Sequence, residues 1–95
     1  MACPTATQVA IQNRVALMSA EEMHEAYEHA SLVLFKICTA GRTKILDDGE
    51  MSLAHEAVEL MVRLECRKTG SGWWYRMRRR PELMRAALQS AAQAN

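Results

Sequence analysis

The stretch from Ser19 to Gly41, SAEEMHEAYEHASLVLFKICTAG, decides the fold class of this 95-residue chain. Ser19 and Glu22 stand three apart, the spacing of a capping box in which each side chain satisfies a backbone N–H of the other. Glu21 and Glu22 fall in the first turn, where the helix dipole favours negative charge. Met23, Ala26, Tyr27, Ala30, Val33, Leu34, Ile37 and Cys38 then recur at intervals of three and four, one apolar stripe of an α-helix over residues 20–40. Gly41 stands where a left-handed residue commonly ends a helix. Leu32 and Phe35 lie off the stripe, so the second half is apolar nearly all round. That pattern predicts either a central helix or a seam between copies, and it makes Leu32 and Phe35 the candidate oligomer interface.

Upstream, Thr5 and Gln8 repeat the capping-box spacing, and Val9, Ile11, Val15 and Met18 follow on a helix near 6–18. Downstream, Asp47-Asp48-Gly49-Glu50 reads as a turn with acidic capping groups. A third helix near 51–68 uses Leu53, Ala54, Ala57, Val58, Met61 and Leu64 and ends at Gly70. Pro81 disfavours helix at Arg80 and costs about 3 kcal/mol inside one. The sequence therefore predicts a short turn ending near Arg79 within a basic aromatic segment, 71–80. Pro81 then opens a last helix near 82–93, with Leu83, Met84, Ala87, Leu88 and Ala91 on one face. Two prolines and four glycines leave few other breaks. The expectation is a single all-α domain over 1–95, a small bundle of about four helices completed by oligomerisation.

Charge is segregated along the chain. Residues 1–62 carry four Lys or Arg against nine Asp or Glu, and residues 63–95 carry eight against two. Within the basic part, Arg63, Arg67, Arg76, Arg78, Arg79 and Arg80 flank Trp73, Trp74 and Tyr75. Guanidinium forks suit oxyanions and flat rings suit stacking, so these nine are the candidate binding residues. The competing expectation is internal: the arginines pair with Glu21, Glu22, Glu25, Glu28 and the Asp47–Asp48 loop while Trp73 or Trp74 plugs the open end of the bundle. One ring inside and one outside would satisfy both.

Catalytic and metal patterns fail on spacing. His24 and His29 are five apart, about 500° round a helix, and cannot share one tetrahedral site. Glu21 and His24 have the Glu-x-x-His spacing of di-iron bundles, but Ser52 stands where the matching glutamate before His55 is required. Cys3, Cys38 and Cys66 form no C-x-x-C pair and read as free thiols of a reducing compartment; only Cys66, beside Arg63 and Arg67, sits where a reactive thiol is conceivable. The Gly70-Ser71-Gly72 joint lacks the lysine and preceding strand of a phosphate loop. The densest apolar run, Leu32–Phe35, ends at Lys36 and is far short of a membrane span.

These readings predict a cytoplasmic, non-enzymatic binding module with no metal, cofactor or membrane partner. The first functional expectation is a module that binds an anionic partner, a nucleic acid or nucleotide, through the basic aromatic segment. The second is a small regulator or inhibitor docking on a larger protein complex, for example a phage-type antagonist of host defence, with an acidic protein surface as the anionic partner. The third is a self-assembling structural protein.

Overall fold

The computed structural model describes residues 5–93, which form four helices and no strand: α1 (Ala6–Ala16), α2 (Ala20–Ala40), α3 (Asp48–Thr69) and α4 (Trp73–Gln93). Cys3 lies outside the described residues. The capping boxes at Thr5/Gln8 and Ser19/Glu22 both form, with each cap oxygen accepting from the backbone N–H three residues on. α1 stops at Ala16, with Leu17 as its cap, two residues earlier than the sequence predicts. α3 starts about three residues earlier than predicted, because Asp47 and Glu50 make a third capping box: the Glu50 N–H donates to Asp47 at 2.8 Å and the Asp47 N–H donates to Glu50 at 3.2 Å. Gly41 is not left-handed but helical, at φ −63°. The left-handed end belongs to Gly70, at φ 71°, where the Gly70 and Ser71 N–H groups both donate to the Cys66 carbonyl and turn the chain into α4.

The most deeply packed helix is α3, buried through its middle and exposed at both ends. It packs against α1, α2 and α4, and Ala57 through Met61 are buried in unbroken succession with Val62 at 0% exposure. Ile11 and Val15 of α1, Ala30, Leu34, Ile37 and Cys38 of α2, and Leu83 and Ala91 of α4 complete the core. The molecule measures 36 × 31 × 21 Å, so its thin dimension is about two helix diameters. In this two-layer arrangement α2 keeps one side outward: Leu32 is half exposed and Phe35 half buried. No helix among the described residues is long and apolar enough to cross a membrane.

α4 corrects the largest expectation. It runs without interruption through Pro81, so there is no separate short turn over 71–80. Pro81 cannot donate to the Met77 carbonyl, but its ring lies on the exposed face, and the flanking residues hold the helix: Arg79 and Arg80 pair with α3 just before it and Leu83 enters the core just after. Replacing Pro81 by alanine restores the missing N–H and removes the ring's clash. P81A is expected to raise unfolding free energy by about 1–3 kcal/mol, read from denaturant midpoints. A fall would show that the ring, not the helix around it, sets α4's course.

Candidate functional site

The turn at Gly70 sends α4 back across α3, and the arginines of its first half meet two carboxylates there. Glu59 interrupts the buried run of α3 and is itself only 7% exposed. Arg80 grips it as a fork, Nε to Oε2 at 2.7 Å and a terminal nitrogen to Oε1 at 3.1 Å, while Arg63 Nε donates to Oε1 at 2.9 Å from one turn further along α3. Six residues on, and thus on another flank of α3, Glu65 accepts from Tyr27 and Tyr75 hydroxyls at 2.6 Å each and from Arg79 Nε at 2.7 Å. Arg79 also reaches Glu82 at 3.2 Å. Adjacent residues on one helix point about 100° apart, which lets Arg79 and Arg80 clasp opposite sides of α3.

The charges of these groups follow from the contacts. Burial pushes the Glu59 carboxyl up, but the hydrogen bonds and charges of Arg80 and Arg63 outweigh it and hold the group below the usual carboxylate value. Glu65 behaves the same way: burial raises it, and Arg79, Tyr27 and Tyr75 together bring it lower. Burial and then the bond to Glu65 push Tyr27 up to about 12. The bond to Glu65 is the main cause of a raised Tyr75 and of a raised Arg79.

Of the six candidate anion-binding arginines, Arg63, Arg79 and Arg80 are therefore committed to the chain's own carboxylates. The partners differ from the acids the sequence suggested. Glu21, Glu22, Glu25 and Glu28 are exposed on α2, with Glu28 paired to His24 at 3.1 Å. Glu59 and Glu65 went unrecognised, although a carboxylate inside the apolar stripes of a deeply packed helix is the signal that would have found them. Arg67 is bonded to neutral oxygens, donating to the carbonyls of Val15 and, at 2.6 Å, Met18, and so closes the end of α1. Arg78 is exposed, 5.7 Å from the Tyr75 ring centre and 3.8 Å from Glu82. Arg76 has a buried Nε with no acceptor among the described residues.

The expectation that Trp73 or Trp74 plugs the bundle is corrected. Tyr75 turns inward to Glu65, whereas Trp73 and Trp74 are 53% and 78% exposed, and neither plugs the bundle. Their planes meet at 71° with centres 4.6 Å apart, edge to face. Along α4 the exposed positions Trp74, Met77, Arg78, Pro81, Arg85 and Leu88 fall within about 100° of one another round the helix, a stripe some four turns long. Leu32 and Phe35 lie away from it, on α2. Cys38 and Cys66 are buried free thiols, and no group of three or more acidic, His or Cys side chains among the described residues is placed to hold a metal.

No protein-family model, curated protein or solved structure matches this chain.

Proposed function

We propose that this chain acts by binding rather than catalysis, as a small regulator that docks on a larger protein through the outer face of α4. The observation that carries the reading is the exposed stripe Trp74, Met77, Arg78, Pro81, Arg85 and Leu88. A soluble surface gains nothing by holding Trp, Met and Leu in one line against water, while an interface does: burying one indole removes roughly 150–250 Å² from solvent, about 4–6 kcal/mol gross. Trp and Arg are also the side chains that most often dominate binding energy. Two exposed guanidinium groups with one carboxylate at the edge call for an apolar cleft with an acidic rim.

The nucleic-acid reading is the second one, supported by the open rings of Trp73 and Trp74 beside Arg78. It is weakened by the three guanidinium heads already bonded to Glu59 and Glu65, which leaves few free donors on α4 for a run of phosphates. Self-association through Leu32 and Phe35 is a further use of the same molecule, supported by the half-exposed Leu32.

One set of measurements separates the three. Affinity capture with the parent chain, followed by calorimetry on the purified partner, is expected to show W74A and R85E each weakened at least about tenfold with thermal midpoints unchanged. Equal binding by both variants sinks the docking face. Binding of a single-stranded oligonucleotide that collapses with added salt would put nucleic acid in its place, and a native mass that drops in L32E would assign the apolar side of α2 to self-assembly.

A further inference from the structure

Beyond the docking face, the structure holds a second feature with a chemistry of its own. Where the end of α1 meets the end of α3 and the first turn of α4, a hollow of about 240 Å³ opens between Arg63, Arg67 and Arg76, with Ser71, Gln12 and Cys66 on its wall. No carboxylate lines it. The one acid bonded to any of its arginines is Glu59, which Arg63 shares with Arg80. Four guanidinium groups thus stand against a single carboxylate here. Arg67 is matched only by neutral carbonyl oxygens, and Arg76 by no acceptor at all among the described residues.

A buried guanidinium nitrogen without an acceptor is costly, since a charged donor forfeits its water and gains nothing. Arg76 lines the hollow, with its Nε buried behind the wall and without an acceptor among the described residues. Water occupies about 30 Å³ per molecule, so the hollow has room for a tetrahedral oxyanion with several waters. Arg63 spends donors on Glu59 and Gln12, and Arg67 spends one on the Val15 and Met18 carbonyls. The three guanidinium groups lining the space still leave an excess positive charge, which suits the double charge of a phosphate group better than a monovalent carboxylate. The hollow lies at the entrance to α4, whose first turn has no side-chain cap and whose dipole has the same sign.

We infer that this hollow is a phosphate site, filled by a phosphate dianion, either free or as the monoester end of a small molecule. Occupancy sets a counter-charge beside the Arg76 guanidinium and bridges α1 to α3 and α4. α1 has only Ile11 and Val15 in the core, so the bridge adds to a weak attachment. The site shares no side chain with the outer stripe of α4, so the two assignments stand or fall separately.

Calorimetric titration of the full chain with inorganic phosphate, at ionic strength held constant with chloride, tests it. The expected result is saturable binding of one phosphate per chain and a thermal midpoint that rises with phosphate. R76Q is expected to bind at least about tenfold more weakly, while its ligand-free midpoint stays level or rises, because the lost nitrogen had no partner. R85Q, on the outer stripe, is expected to bind phosphate like the parent. A parallel titration with adenosine monophosphate distinguishes the source: tighter binding than phosphate assigns a nucleotide ester, and equal binding assigns free phosphate. Absence of saturable binding by either probe, or an R76Q affinity equal to the parent's, overturns the site.

Discussion

Replacing Glu59 by alanine is expected to cost about 3–5 kcal/mol of folding free energy, most of what a chain of this size holds. The carboxylate is 7% exposed and is the sole acid bonded to both Arg63 and Arg80. Removing it strands two guanidinium groups whose side chains are only 11% and 31% exposed, so water can repair neither fully. The cost lies less in the attraction lost than in the two charges left without a counterion. For that reason the loss is expected to shrink when the arginines go too: the triple variant E59M/R63M/R80M should be closer to the parent than E59A is. Urea denaturation of the two variants checks both statements. A penalty below about 1 kcal/mol for E59A would mean that the fork merely decorates a surface already held by Val58, Met61 and Leu83.

The contrast between what the sequence discloses and what it hides follows range. The boxes at Thr5/Gln8 and Ser19/Glu22, the stripe of α2 and the stop at Gly70 are legible because each is written within one or two turns of chain. The box at Asp47/Glu50 has the same signature, yet Gly49 inside it looks like a turn rather than a first helical residue. Pro81 misleads for a different reason. A local cost of about 3 kcal/mol is real, but Arg79, Arg80 and Leu83 bind the helix to the core on both sides of it, and packing overrides propensity. The arginine partners lie 14 and 21 residues away across a turn, beyond any helical period. Net charge by halves suggested that acids of α2 would neutralise α4, whereas the neutralising acids sit on α3, the central helix, where proximity and burial strengthen the pair. Both indoles are exposed, and which of the three rings faces inward is decided by Tyr75 turning to Glu65, a contact ten residues back along the chain.

Glu65 is expected to set the acid limit of the fold together with Glu59. Both carboxyls are held below their ordinary value of 4.5 in the folded chain, so on lowering the pH the unfolded chain takes up its protons first. Their contribution is complete above about pH 4.5 and is lost as pH falls through the folded values; above that range neither carboxyl makes stability vary. E65Q keeps the shape but surrenders the charge, leaving Arg79 with Glu82 alone and two hydroxyls with a weaker acceptor. It is expected to cost about 2–4 kcal/mol near neutral pH and to flatten the acid limb of the stability curve. At the alkaline end the sign reverses. Tyr27 ordinarily ionises near 10 and is pushed up to about 12, so the stability tied to its neutral hydroxyl is full below pH 10 and lost as pH rises towards 12. In E65Q the phenolate absorbance of Tyr27 should appear at lower pH than in the parent, yet still above 10, because burial, the larger cause, remains. Coincident acid limbs and coincident phenolate titrations in E65Q and parent would show that the carboxylate joining α2, α3 and α4 carries no weight in the fold.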